Sequence, residues 1–356
     1  MATEGRRRSP FFFEVSHPVH VLMLRPAIEH LEGLGYTSRV FAREKDVTLG
    51  LLDRFAIKAR ILAKRRRGRL GAVVELMVRE GRLLRLALSE RPQAIIGTSV
   101  HAARVGRLSG AQSIVINDDD AAAVPLFARL AYPLADVLVK PACLAFENHP
   151  KQVTYRGNQQ LFYLHPARFQ PDPQIRGELG ISDTRRFGVI RLSALDAHHD
   201  TGVRGLQLSH LQEIARRLPR DMVVFASLET PRDLPEGWRS IGLPPDRLHH
   251  VLAAAEFLVG DGQTMTAEAA VLGTPALRLN DFVGRISYLK ELEGYGLAFG
   301  FRPGDEPAMF EVLAQVASGA RPRAGFAQAR ARFLSDMVDP LPWFVDLVLS
   351  RLRAHA

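Results

Sequence analysis

A single cysteine, Cys143, stands in the whole chain. No internal disulfide can form, which argues against a disulfide-stapled exported scaffold. Lysine is scarce as well: nearly all of the 47 basic residues are arginine, a bias that genome base composition can produce without any functional cause. Zinc-ligand spacing, an aromatic-rich RNA-binding signature and an isolated helix-turn-helix are all missing, so nucleic acid is not an expected partner. No apolar run approaches the length of a membrane span. Arg6 to Arg8 followed by Phe11 to Phe13 looks superficially like a signal peptide, but Glu14 and His17 interrupt it and no small-residue cleavage site follows. There is no Gly-x-Ser-x-Gly elbow, P-loop, His-Glu-x-x-His or Gly-x-Gly-x-x-Gly after the first strand, which leaves serine hydrolase, NTPase and zinc peptidase readings without support.

What is present describes an ordinary globular protein: 47% hydrophobic and 24% charged residues in a chain of 356. That length suggests two domains. The net charge is +9, and much of the excess sits at Arg6–Arg8 and Lys64–Arg69. Runs of this kind are commonly solvated loops; the functional alternatives are contact with an anionic membrane surface or with a phosphorylated substrate. The expected location is cytoplasmic, with peripheral contact at the inner membrane face as the alternative that the basic runs suggest.

Strand-like and helix-like segments alternate along the chain. Strands are predicted at 11–15, 36–42, 59–62, 94–97, 113–117 and 136–139, and helices at 21–34, 70–89, 102–108 and 121–130. The stretch 141–173, rich in proline and without periodicity, reads as a linker. A second series follows, with strands at 187–192, 222–226, 255–259, 276–279 and 297–301 and helices at 208–218, 247–254 and 286–292, before helices from 307 onward close the chain. Such a βαβ series implies parallel sheets covered on both faces. The expected division is 1–165, 166–339 and a C-terminal helix 340–356 packing back on the first domain.

The most informative segment is Gly260 to Pro275: a buried strand, a glycine turn, a helix, then a glycine stop before the next strand. Gly262 would let the backbone turn tightly and approach a ligand, and the amides of Gln263, Thr264, Met265 and Thr266 would form a helix N-terminus suited to phosphate. Glu268 could then reach a ribose diol. The alternative is a well-capped helix, with Thr264 or Thr266 as cap and Glu268 favouring the dipole.

Other candidates fall at strand ends, where ligands bind in such sheets. His17 and His20 follow the first strand, and His20 could act as a base, unless both merely pack at a loop–helix junction. Arg43 and Lys45 could hold an anion or form a solvated turn. Asn117-Asp118-Asp119-Asp120 invites a metal reading, but neighbouring side chains diverge and no further ligand is spaced to complete a site. One aspartate more simply caps the helix at 121–130. Arg191 could fork onto a diphosphate, and His198, His199 and Asp200 in the following loop could serve as acid, base and orienter. His249 and His250 could border a base or sugar pocket.

At His17–His20, Ala42–Asp46, Asn117–Asp119, Tyr163–Pro166, Ala197–Asp200 and above all Gly262–Pro275, the sequence resembles the domain-of-unknown-function 354 family, related to GT-B glycosyltransferases and UDP-N-acetylglucosamine 2-epimerases. The resemblance implies a GT-B-like α/β fold of two Rossmann-like parallel-sheet domains facing a cleft. It also implies a nucleotide sugar, UDP-linked, as substrate, with no cofactor and no metal. Gly262, Gln263, Thr264, Met265 and Glu268 would hold the nucleotide with Arg191; His20, His199 and Asp119 would be catalytic; His17, Arg43 and Lys45 would serve the acceptor or an anion. The chain departs from the epimerase pattern where Thr98-Ser99 replaces an expected aspartate and Pro125 to Phe127 an expected glutamate pair, although Asp118 or Asp119 could fill one role. Glycosyl transfer in surface polysaccharide or glycoconjugate assembly is therefore the preferred expectation, ahead of an epimerase and of a non-catalytic nucleotide-sugar-binding protein. A lipid-linked acceptor or an anionic membrane is the further partner expected.

Overall fold

The computed structural model of the chain describes residues 9–44, 46–64, 68–193, 205–230 and 233–353. They fall into two units, Met1–Tyr163 with Val338–Ala356, and Leu164–Met337. The expected fold class holds: each unit is built on one parallel sheet of Rossmann-like character.

In the first unit, β1 (Phe11–Val15), β2 (Ser38–Arg43), β3 (Ala59–Ala63), β4 (Ala94–Gly97), β5 (Gln112–Ile116), β6 (Val137–Pro141) and β7 (Gln152–Tyr155) alternate with α1 (Pro18–Gly33), α2 (Asp46–Arg54), α3 (Gly68–Glu90), α4 (Val100–Ser109) and α5 (Pro125–Ala131), and α6 (Leu161–Leu164) follows β7. The strand order is β3-β2-β1-β4-β5-β6-β7. Phe11, Phe12 and Phe13 are all 0% exposed, because a strand central to a doubly covered sheet buries both of its faces. Phe13 lies level with Val40 on one side and Ile96 on the other. The strand order reverses between β1 and β4, which makes their carboxyl ends the switch point where ligands bind in such sheets.

The second unit carries α7 (Ile175–Glu178), β8 (Phe187–Leu192), α8 (Leu208–Arg217), β9 (Val223–Leu228), β10 (Arg239–Ser240), α9 (Leu248–Ala254), β11 (Leu258–Gly260), α10 (Gln263–Leu272), β12 (Ala276–Leu279), α11 (Ser287–Gly294), β13 (Ala298–Phe301), α12 (Glu306–Ser318) and α13 (Arg323–Asp336). Its order, β10-β9-β8-β11-β12-β13, places the switch point between β8 and β11. One face of this sheet, through Ile190, Val259 and Leu277, packs on Leu211, Ile214, Met309 and Leu313 from α8 and α12.

Three local expectations are corrected. The first helix starts at Pro18, not at 21, since proline is preorganised for the first helical position; His17 becomes its N-cap and His20 lies in its first turn. Similarly, α5 starts at Pro125 behind Val124, and among the described residues no side chain caps it, so the cap expected from the aspartates at 118–120 does not form. The stretch 141–173 is not a bare linker: it adds β7 at the sheet edge and the short α6.

The chain returns to the first unit through α14 (Pro340–Arg353). Trp343 stacks at 5.3 Å from Tyr155, and Phe344, 0% exposed, meets Phe162 edge-on at 5.7 Å. Just ahead of the helix, the Val338 amide donates to the Arg156 carbonyl at 2.7 Å. Truncating a fully buried phenylalanine removes its transfer energy and leaves a cavity. Phe344→Ala is therefore expected to cost about 3–5 kcal/mol, read from chemical denaturation monitored by circular dichroism.

Candidate functional site

In the first unit a cavity of about 140 Å³ is lined by His20, Thr98, Ile116, Asn117, Asp118, Asp119, Val124, Phe127 and Gln159. Its polar residues come from the first turn of α1, from the carboxyl ends of β4 and β5, and, in Gln159, from the turn between β7 and α6. The Thr98 hydroxyl lies 2.6 Å from Nδ1 and 3.1 Å from Nε2 of His20. The Ser16 amide donates to Nδ1 at 3.3 Å, which marks Nδ1 as an acceptor and puts the proton of the neutral ring on Nε2. Nδ1 thus faces both the Ser16 amide and the Thr98 hydroxyl.

Asp118 is the second chemical group of the cavity. Burial, reinforced by the neighbouring Asp119 charge, holds its carboxyl well above the usual carboxylate range. With the Gln159 amide turned to satisfy both groups, its nitrogen donates to the Asp118 oxygens at 2.7 and 2.9 Å. The turn itself is pinned from below. Asn117 Nδ2 donates to the Asp119 carbonyl at 2.9 Å and to the Tyr132 hydroxyl at 2.7 Å. Tyr132 in turn accepts from Lys140 Nζ at 3.0 Å. Lys140 is 0% exposed and also pairs with Glu147; burial lowers its pKa to about 8. Glu147 accepts from the Ala121 amide at 2.6 Å, closing the frame around residues 117–121.

The remaining candidates of this unit are placed as follows. His17 is exposed, accepts weakly from the Val19 amide at 3.5 Å and has its ring 5.9 Å from that of His20. Arg43 grips the buried Glu75 through two hydrogen bonds of 2.5 and 3.1 Å. Lys45 lies outside the described residues, as does His199 with the whole 194–204 loop.

The second unit gathers a different set at the carboxyl ends of β8, β11 and β12. Arg191, Gly260 and Arg278 share one row across the sheet. A Cβ at Gly260 would lie 3.0 Å from that of Arg191, and one at Gly262 would lie 3.2 Å from Ser193 Oγ. Gly262 has φ −85°, which any residue adopts. The glycines thus supply space, and the backbone conformation does not demand them. Arg191 donates to Ser227 Oγ at 2.9 Å and pairs with Glu229. The Ser193 amide donates to Asp261 Oδ1 at 2.8 Å, and Asn280 Nδ2 donates to the Asp261 carbonyl at 2.7 Å. Burial pushes the Asp261 carboxyl up, partly opposed by Ser193.

Gly262 is the N-cap of α10, and among the described residues no side chain caps it. Thr266 instead turns its hydroxyl back to the Gly262 carbonyl at 2.6 Å, so the threonine caps weighed from the sequence do not form. The first amides of a helix have no partner within it; here those of Gln263, Thr264 and Met265 follow directly from the glycine turn. Glu268, 5% exposed, sits one and a half turns further on with Oε1 3.1 Å from His249 Nε2. Phe169 packs on both His249 and His250, at 6.2 and 4.8 Å between ring centres.

Sequence reasoning missed Thr98, Gln159, Ser193 and Asp261. Thr98 carried a signal, since it stands where a catalytic aspartate was looked for; the other three acquire their roles only through distant parts of the chain. Among the described residues no group of three or more His, Cys, Asp or Glu side chains could hold a metal ion, and no helix is long and apolar enough to cross a membrane.

Residues 11–281 match the family described as protein of unknown function, DUF354, and the chain belongs to it. Among solved structures it is similar to a putative UDP-N-acetylglucosamine 2-epimerase from Listeria monocytogenes, at 14% identity and a TM-score of 0.69 over 90% of this chain and 91% of that one. It is also similar to the UDP-GlcNAc 2-epimerase from Neisseria meningitidis bound to UDP-GlcNAc (14%, TM-score 0.65, 98% and 100% covered). The glycosyltransferase VinC in complex with DTDP gives 15%, a TM-score of 0.65, and 98% and 100% covered. These likenesses establish the GT-B fold. No match was found among curated proteins.

The elevated Asp118 pKa has a sign that can be tested. Because the folded state binds this proton more tightly than the unfolded chain, stability falls as pH rises from the ordinary carboxylate pKa through the folded one. Asp118→Asn cannot ionise. Its stability relative to the wild type should therefore be higher at pH 8 than at pH 4. Urea denaturation midpoints at the two pH values check this.

Proposed function

We propose that this protein is a glycosyltransferase-like enzyme whose C-terminal unit binds a nucleotide-diphosphate sugar, UDP-linked, for the assembly of a surface polysaccharide or glycoconjugate. The observation that carries the reading is the meeting of Arg191, the Gly260–Gly262 turn and the N-terminus of α10 at the switch point between β8 and β11. A diphosphate needs fixed positive charge and inward-pointing amides, and it needs backbone without side chains in its way. All three coincide there. Glu268 with its His249 partner is the ribose-side group of this reading, next to the aromatic Phe169. Support also comes from the similar structures whose descriptions name UDP-GlcNAc and DTDP as ligands.

In the transfer step an acceptor hydroxyl attacks the anomeric carbon and the bond from that carbon to the diphosphate breaks. The nucleoside diphosphate leaves with the bonding electrons, and the hydroxyl proton passes to a base. Arg191 and the α10 amides stabilise the charge that develops on the leaving group. His20 is the base of this reading, with Asp119 beside it; His17 and Arg43 belong to the acceptor side. His199 and Lys45 keep the roles assigned from the sequence. A lipid-linked acceptor, or contact with an anionic membrane, completes the reading on that side.

One observation favours a second reading, epimerisation of the sugar. A carboxyl group with a raised pKa in the same cavity as a histidine suits a reaction that removes a proton from carbon and returns one. The two readings separate by incubation with UDP-sugars in the absence of any acceptor, where only an epimerase converts the sugar.

Calorimetric titration of the full chain with UDP and UDP-sugars tests the nucleotide site. Arg191→Ala is expected to weaken UDP binding by about 10- to 100-fold, as loss of a charged hydrogen-bonding partner does. Glu229→Gln, which removes the charge competing for Arg191, should bind UDP at least as tightly as the wild type. Equal affinity in wild type and Arg191→Ala, or no binding at all, contradicts the proposal.

A further inference from the structure

The first half of α3 is built the wrong way round for a helix lying on a soluble sheet. Such helices turn an apolar stripe inward and charged residues outward. In α3 the inward positions are Glu75, 2% exposed, and Arg79, 7% exposed. Glu75 takes the guanidinium of Arg43, the last residue of β2, and Arg79 donates to Glu14 at 2.6 Å and Ser16 at 2.7 Å. The outward positions are apolar: Val73 is 54% exposed, Val74 41%, Leu76 43% and Met77 67%. About two turns later the same helix is ordinary, with Leu83 and Ala87 buried in the core at 0% and 1%. The reversal is therefore local, and it is not explained by the packing of the helix as a whole.

The chain entering this helix carries Lys64, Arg65, Arg66, Arg67 and Arg69, and the only acidic residue between 64 and 79 is Glu75, which is turned inward. An exposed apolar helix face joined to a run of cationic residues, with no outward acid, has the chemistry of an element that lies in the interface of an anionic bilayer. Its place in the fold fits that use. Since Glu75 and Arg79 reach the ends of β2 and β1, the turns before them extend past the carboxyl edge of the first sheet, the edge that carries the His20–Asp118 cavity.

We propose that the Val73–Met77 face of α3 docks on an anionic lipid surface. The apolar side chains enter the interface while the exposed Lys64, at the head of the cationic run in the sequence, faces the lipid phosphates, which sets the acceptor edge of the first unit at the membrane. The proposal gives a surface to the membrane contact suggested above, and it stands or falls independently of nucleotide binding.

The test uses the full chain in flotation with two sets of vesicles, phosphatidylcholine alone and phosphatidylcholine with one third phosphatidylglycerol. The wild type should float with the anionic vesicles and not with the neutral ones, and 0.5 M salt should reduce the bound fraction at least threefold. A double variant, Val74→Glu with Met77→Glu, should lose at least tenfold in vesicle binding. Both sites are exposed, so its circular dichroism spectrum, melting temperature and UDP titration should match the wild type. Sedimentation velocity on both proteins reads the competing occupant, a second copy of the chain. Equal flotation of wild type and variant overturns the proposal. So does a wild-type dimer that the double variant dissociates without any change in lipid binding.

Discussion

Asp261 is the residue on which the C-terminal site depends. Its side chain receives the amide of Ser193 as the chain leaves β8, and its carbonyl receives Asn280 as the chain leaves β12. Three strand ends are thereby fixed to one residue, the one preceding Gly262. Burial disfavours the ionised carboxyl, and the hydrogen bonds from Ser193 oppose that cost. The result is a rim in which the Arg191 stem lies against Gly260 while its guanidinium reaches Ser227 and Glu229, and α10 begins at a glycine with its first amides directed away from the body of the helix. Relaxing the Asp261 contacts would free the rim whose shape the nucleotide reading requires.

The N-terminal cavity follows the same rule, with a polar frame beneath a reactive surface. Asn117, Tyr132, Lys140 and Glu147 connect β5, β6 and the turn between β5 and α5 in one buried chain of hydrogen bonds. That chain holds Asp118 and Asp119 in place without using their carboxylates for capping. Asp118 accepts from the Gln159 amide, and His20 meets the Thr98 hydroxyl and the Ser16 amide. A carboxyl group whose pKa is raised by burial and a histidine line a single cavity.

Much of this was legible in the sequence, for reasons that differ from element to element. The central strands were plain because runs such as Phe11–Phe13 and Ala94–Ile96 are apolar without alternation, the mark of parallel strands buried on both faces. The glycine turn at 260–262 and the histidines after β1 were visible because strand ends can be located once the strands are known. Helix starts were less visible. His17 is not a usual N-cap residue, and Pro18 and Pro125 set their helices where the apolar periodicity alone did not. The short edge strands β7 and β10 carry too few buried residues to announce themselves. The reversed half of α3 read as an ordinary helix, because its apolar residues keep helical spacing whichever way they face. Partners such as His20 and Thr98, 78 residues apart, or Ser193 and Asp261, 68 apart, exist only in the folded chain.

The account rests on the claim that the α10 N-terminus is a diphosphate seat. Hydrogen–deuterium exchange on the full chain with and without saturating UDP tests it most directly, because it reads the amides said to bind. The account predicts slowed exchange confined chiefly to peptides covering Gly260 to Glu268 and the end of β8 at Arg191. Binding of UDP with those peptides unchanged would contradict it.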